Sequence, residues 1–301
     1  MARKRVILVG LCLFTKRLEK QIKAFGDKRV SVKALDTYYT NKDRLLAFLL
    51  IPFCDVVYSI NVTTTKSRTF DWAFFWKKRV MLFWAGSDVL RAKNNPNRNQ
   101  KYLQNAEHFC EAPWIQEELK EIGVHAELLR FTNFKGNQKI DFPSTENGLK
   151  VFSYVAKGRE VYYGLNHIIA LATRFPEVDF RVAGTNGEGF DIPTNVKCLG
   201  WCDDMLKEYE KCHVTTRIIE HDGFSNFVLE SLFHRKHVLY SNKLNHCLHA
   251  STTEEGIRHL ERLVDLAGKN ELSPNEDGRE FVKKELNTED VLGKLISKFA
   301  E

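Results

Sequence analysis

The chain has 301 residues, of which 43% are hydrophobic and 28% charged, with a formal net charge of +6. That length fits two domains of about 150 residues, each able to bury its own core, and the composition argues against a disordered or membrane-spanning chain. The charge is unevenly shared: residues 1–148 hold 25 Lys/Arg against 15 Asp/Glu, or +10, and residues 149–301 hold 20 against 24, or −4. A basic half points to an anionic partner such as lipid headgroups, a phosphorylated acceptor or nucleic acid; a solvated basic surface is the plainer alternative.

Short apolar, β-rich runs alternate with helical patterns along the chain. The basic start and apolar run of residues 1–10 lead into Lys16, Arg17 and Glu19 with no small-residue cleavage site, so a first strand is expected at 5–11 rather than a leader. Further strands are expected at 30–35, 55–60, 80–84, 108–110 and 126–129. Helices are expected at 15–25, 43–50 and 113–122, the last opening on Pro113. The longest apolar run, 45–60, is broken by Pro52 and Asp55 and falls short of the roughly 20 residues a membrane span needs. Residues 70–79 join five aromatics to three cations. A buried crossover helix is the first reading there, with an anionic membrane surface or stacked nucleic-acid bases as alternatives.

Residues 132–148 are polar, contain Gly and Pro, and read as a linker. A second α/β set follows: strands at 150–154, 179–183, 196–199, 213–217 and 237–240, and helices at 162–174, 203–211 and 225–234. Two or three helices are expected from 252, the last at 290–299. The alternation predicts parallel sheets with crossover helices, in a domain spanning 1–140 and a second spanning 149–301 that includes the helical tail. The seven cysteines are an odd number without a C-x-x-C pair, which suits a reducing cytosol. No His, Cys or Asp spacing matches a standard metal site, so no metal and no cofactor are expected.

The chemistry concentrates after the strand at 213–217. There Asp222-Gly223-Phe224-Ser225-Asn226-Phe227-Val228-Leu229-Glu230 places two carboxylates around a Gly-Phe turn and a helix start. Acids so placed accept hydroxyl protons, and backbone N–H groups of Phe224 to Asn226 at the helix start can donate to a ligand. An N-cap Asp and a surface Glu would be the bland alternative. Ligands of open parallel sheets sit at strand carboxyl ends, where this loop falls.

This spacing resembles the E-x7-E signature of retaining glycosyltransferases of the GT-B architecture, glycosyltransferase family 4 and its relatives, with Asp222 in place of the first Glu. The segment 214–241 follows the family order of strand, motif loop, helix, turn and strand, with His234-Arg235-Lys236-His237 where the turn commonly reads Cys-Gly-Lys-Pro. The likeness is good over about 150–242 and weak elsewhere. It implies two Rossmann-like domains facing across a cleft, the second binding a nucleotide-diphosphate sugar as co-substrate and the first an acceptor hydroxyl. Sugar transfer would keep anomeric configuration through an oxocarbenium-like transition state. By the same resemblance Asp222 would contact the hexose and Glu230 the ribose.

In the family a strand-end Arg and a later Lys-Gly clamp the diphosphate; here Lys157 stands at the first position and Tyr163 at the second, leaving Arg159 as the second cation. Gly184 and Gly200-Trp201 resemble turns against the nucleobase, and Gly10 resembles the glycine that lets the first strand's end approach the diphosphate. The segment 83–90 resembles an H-W-x-G-T-D-V-L variant with Phe83 for His, which makes Asp88 the candidate for contacting the acceptor.

The expected location is the cytoplasm, with a peripheral position on the inner face of the membrane as the option that residues 70–79 leave open, and cell-envelope glycan or lipid is the leading acceptor class. Modified nucleic acid is a lower-ranked acceptor. Two rivals are an inverting transferase or sugar-nucleotide epimerase using Asp88 as base, and a non-catalytic polyanion-binding module. A dinucleotide reductase is disfavoured because no G-x-G-x-x-G follows the first strand.

Overall fold

In the computed structural model, which describes residues 3–132, 134 and 140–301, the chain forms two compact units. One is Met1–Asn133 with Leu286–Glu301 and the other is Phe134–Glu285. Of the expected linker at 132–148, residues 133 and 135–139 lie outside the described residues.

The first unit alternates strand and helix: β1 (Lys4–Gly10), α1 (Cys12–Phe25), β2 (Val30–Ala34), α2 (Asn41–Leu50), β3 (Val56–Ile60), α3 (Arg68–Phe75) and β4 (Arg79–Trp84). It continues through α4 (Ser87–Lys93), α5 (Gln100–Asn105), β5 (Glu107–Cys110), α6 (Pro113–Lys120) and β6 (Ala126–Leu128). The strands form one parallel sheet in the order β2-β1-β3-β4-β5-β6. Every residue of β3 is buried, as are the last five of β4, the pattern of strands covered on both faces.

The second unit repeats the plan with β7 (Lys150–Tyr154), α7 (Leu165–Arg174), β8 (Asp179–Ala183), β9 (Val196–Gly200), α8 (Leu206–Lys211), β10 (Val214–Arg217), α9 (Asn226–Phe233) and β11 (His237–Tyr240). The two-residue β12 (Leu248–His249) and helices α10 (Thr253–Gly268) and α11 (Glu276–Glu285) complete it. Its parallel sheet has the order β12-β11-β10-β7-β8-β9. A core of Val151, Leu165, Ile168, Leu171, Val182 and Leu239 lies between sheet and helices. The fold class read from the sequence, α/β with two Rossmann-like halves, is the fold observed.

One boundary differs. The last helix, α12 (Thr288–Ala300), belongs to the first unit and not to the 149–301 domain expected for it. Its apolar residues Leu292, Leu295, Ile296 and Phe299 recur at helical spacing and enter the core built on Val6, Leu8, Val32 and Tyr58. The Phe299 ring meets Tyr58 edge-on at 5.1 Å. Spacing shows that such a helix must bury one face, but not which sheet receives it.

The turn from α9 to β11 keeps a backbone that glycine would favour: Arg235 sits at φ 61. Its guanidinium offsets that strain by donating to the Ile140 carbonyl and by pairing with Glu276 at 2.9 Å.

Candidate functional site

In the second sheet the chain leaves β7 toward β8 on one side, while β10 lies on the other side of β7 and leads to β11. The connections after β7 and β10 therefore diverge and leave a crevice outside the carboxyl ends of these two strands, the usual ligand position of open α/β sheets.

Three loops meet there and are stitched together. The Tyr162 hydroxyl donates to the His221 carbonyl at 3.0 Å, and the Glu220 N–H donates to the Tyr162 carbonyl at 3.3 Å. Gly164 opens α7 at φ 76, and a Cβ there would fall 1.9 Å from the Ile218 carbonyl oxygen. At Gly184 a Cβ would fall 2.4 Å from the Val155 oxygen, so the loop after β8 also presses against the loop after β7. Glu160 links them: its carboxylate accepts from the Gly158 N–H at 3.0 Å and the Thr185 hydroxyl at 2.9 Å. Those bonds, the Gly158 N–H first, hold its carboxyl below the ordinary range.

The stitched loops carry cations. Lys157 and Arg159 are exposed, and the Arg159 guanidinium lies 4.1 Å above the Tyr162 ring and 5.3 Å from that of Tyr163. From the end of β10, Arg217 approaches the same Tyr163 ring at 5.4 Å. Both guanidiniums thus share the Tyr163 ring as a partner.

Asp222 carries a different first partner from the expected sugar hydroxyl. Its carboxylate forms a two-point ion pair with Arg217, with Nη2 to Oδ1 at 3.0 Å, and the Tyr240 hydroxyl lies 3.3 Å from Oδ2. Burial works against the Arg217 charge, and the Asp222 carboxylate more than offsets it, raising the guanidinium above its ordinary range. The acid thus reaches the crevice already holding a cation of its own chain.

Beyond it, Gly223 accepts from the Tyr240 hydroxyl at 3.2 Å, and the Ser225 hydroxyl caps α9 by accepting from the Val228 N–H. Phe224 and Asn226 are half-buried. Glu230 is half-buried within α9 and accepts from the Tyr209 hydroxyl at 3.2 Å. Trp201, after Gly200 at the end of β9, is 78% exposed, and its indole N–H donates to Asp203 at 2.7 Å. Its ring is a solvent-facing surface and not part of a core.

The two candidates of the first half lie in the first unit. Gly10 ends β1 at φ 105, and a Cβ there would fall 1.9 Å from the Ile60 oxygen, so the glycine is required by the passage of β1 beside β3. Asp88, expected to contact the acceptor, is taken up by backbone donors. It is 1% exposed, and its carboxylate accepts from the N–H groups of Val62 at 2.7 Å, Ala85 at 3.0 Å, Gly86 at 2.8 Å and Val89 at 3.1 Å. These bonds clamp the loops after β3 and β4 to each other. Burial pushes its carboxyl upward against the pull of the same N–H groups.

Sequence reasoning alone does not single out Arg217, Glu160 or Tyr162. Arg217 carries a usable signal, a cation at a strand end five residues before the motif acid. Glu160 and Tyr162 gain their roles from non-local partners. Among the described residues no group of three or more His, Cys, Asp or Glu side chains could hold a metal ion, and no helix is long and apolar enough to cross a membrane.

No protein-family model and no curated protein matches the chain. Solved structures do, along its whole length. Sucrose-phosphate synthase from Thermosynechococcus elongatus is similar with a TM-score of 0.69 at 10% identity, over 99% of this chain and 98% of that one. The chain has the GT-B fold. The lipopolysaccharide outer core galactosyltransferase WaaB is similar with a TM-score of 0.67 at 12% identity, over 98% of each chain. UDP-GlcNAc 2-epimerase from Neisseria meningitidis, bound to UDP-GlcNAc, is similar with a TM-score of 0.53 at 13% identity, over 98% of this chain and 99% of that one.

Proposed function

We propose that this GT-B chain is a glycosyltransferase that moves a sugar from a nucleotide-diphosphate sugar to an acceptor hydroxyl. One observation carries the reading: the Arg159 guanidinium and the Arg217–Asp222 pair both reach the Tyr163 ring beside the switch-point crevice, with Lys157 exposed on the same loop as Arg159. In this reading the cations hold the donor diphosphate and stabilise the negative charge that grows on it as the glycosidic bond breaks. Trp201 supplies a stacking face for the base. Glu230, oriented by Tyr209, takes the ribose hydroxyls, and Asp222 holds Arg217 in place beside the hexose.

The donor diphosphate serves as the proton acceptor for the incoming hydroxyl, so transfer proceeds with retention and without a resident metal. The acceptor class we favour is cell-envelope glycan or lipid on the cytoplasmic side. A sugar-nucleotide epimerase has the fold likeness in its favour, but the base it would draw from the first half, Asp88, is buried and filled by N–H donors. A thermal-shift panel of UDP-, GDP-, dTDP- and ADP-sugars without metal tests the reading, because a ligand that binds only the native state raises its melting temperature. A selective shift is expected. No shift with any of them would favour a polyanion-binding module.

A further inference from the structure

In the first unit, α2, the 3-10 turn Ile51–Phe53 and α3 form a face whose inner side is buried through Ala47, Ile51, Phe70 and Ala73. Its outer side is apolar as well: Leu45, Phe48, Leu49, Phe53, Phe75 and Trp76 are each between 43% and 69% exposed. Single exposed apolar side chains are ordinary, but six within residues 45–76 form a patch that calls for a partner. The patch is built rather than frayed. Trp72 stacks with Phe48 at 4.2 Å and with Phe75 at 5.3 Å, Trp76 meets Trp72 edge-on, and the Trp72 indole donates to the Phe48 carbonyl at 2.9 Å.

The surrounding charge identifies the partner. Lys42, Arg44, Lys66, Arg68 and Lys77 are exposed or half-buried on or beside these elements. The acids of the two helices are half-buried and held within the chain: Asp43 accepts from the Asp36 N–H at 2.8 Å, and Asp71 accepts from the Tyr102 hydroxyl at 2.9 Å. A ridge of aromatic and aliphatic side chains bordered by cations is complementary to a bilayer with anionic headgroups, where aromatics sit at the interface and each nearby cation adds attraction. A second copy is a poorer fit, since a two-fold contact would bring the basic border against itself.

The same elements wall a pocket of about 660 Å³, shared through Arg44, Leu45, Phe48 and Trp72, with Arg68 and Gly10 also on its lining. We infer that the α2–α3 face docks on an anionic bilayer and sets this pocket at headgroup level, to take the polar head of a lipid-borne acceptor. The docking stands on the surface alone, whereas the pocket's role in catalysis rests on the transferase reading.

Flotation with phosphatidylcholine vesicles, with and without phosphatidylglycerol, tests the docking. The full chain is expected to bind only the anionic vesicles and to release with salt. The exposed triple substitution Leu49→Ser/Phe53→Ser/Phe75→Ser is expected to weaken binding by at least about tenfold. Reversing a charge, Lys66→Glu or Lys77→Glu, is expected to weaken it by roughly fivefold or more. Equal binding to both vesicle types, or an unchanged triple variant, would overturn the proposal. So would a concentration-dependent dimer that the triple variant loses, without vesicle binding, since that outcome assigns the face to a second copy. Nucleotide-sugar binding measured on the triple variant is expected to match the parent chain, which separates failure of docking from failure of the donor site.

Discussion

The Arg217 guanidinium and the Asp222 carboxylate face each other in a two-point ion pair, with their side chains 9% and 11% exposed. Removing one partner of such a pair strands a desolvated charge. Asp222→Ala is therefore expected to destabilise the chain by about 3 kcal/mol in denaturant unfolding. The double substitution Arg217→Met/Asp222→Leu should recover most of that stability while binding a donor diphosphate more weakly than the parent. Stability of Asp222→Ala within about 1 kcal/mol of the parent would show that the pair is solvated and worth little.

Gly164 holds the start of α7 against the end of β10. A methyl group there meets both a left-handed backbone and the Ile218 oxygen at 1.9 Å, and neither the strand nor the helix can retreat. Gly158 is the control, because at φ 79 a methyl group added to it would find nothing within 4 Å. Gly158→Ala is expected to lose about 1 kcal/mol from backbone strain, and Gly164→Ala clearly more, with a lower melting temperature and weaker donor binding. Equal losses would mean that the two loops are not held together at this point.

Glu111 gives a stability contribution with a defined pH window. It follows β5 and accepts from the N–H groups of Phe131 at 2.8 Å and Thr132 at 2.6 Å and from the Thr132 hydroxyl at 2.8 Å. Burial is the larger influence and pushes its carboxyl up from 4.5 to about 7. The folded chain then binds this proton more tightly than the unfolded chain, so the contribution is fully present below 4.5 and is lost as pH rises to about 7. The gap corresponds to about 3 kcal/mol. Glu111→Gln preserves the acceptor oxygen and is expected to flatten this part of the stability profile in denaturant titrations. A parallel profile for both proteins would contradict the burial argument.

What is legible in the sequence follows from how local each signal is. The strands β7, β8 and β11 lie where their apolar runs place them, because a buried parallel strand is announced by its own residues. The helix expected from 162 starts instead at Leu165, since residues 159–164 turn to reach Ile218 and His221, partners more than fifty positions away. Asp88 shows the same limit. Its G-S-D-V-L setting reads equally as a ligand contact or a helix start, and only the approach of Val62 reveals the clamp. At residues 70–79 the sequence favours a buried crossover helix, and α3 does bury Phe70 and Ala73, yet Phe75 and Trp76 face solvent. Aromatic content alone does not tell a core from a docking face.

The most direct measurement is calorimetric titration of the full chain and of a Lys157→Ala/Arg159→Ala variant with the nucleotide-diphosphate sugar that the thermal-shift panel selects. Both side chains are exposed, so the variant should fold as the parent does. One preferred nucleotide-diphosphate sugar is expected, bound at least about tenfold more weakly by the variant because charge-assisted contacts to the diphosphate are lost. Absence of binding by any donor, or equal affinity of parent and variant, would contradict the assignment of this crevice to a sugar nucleotide.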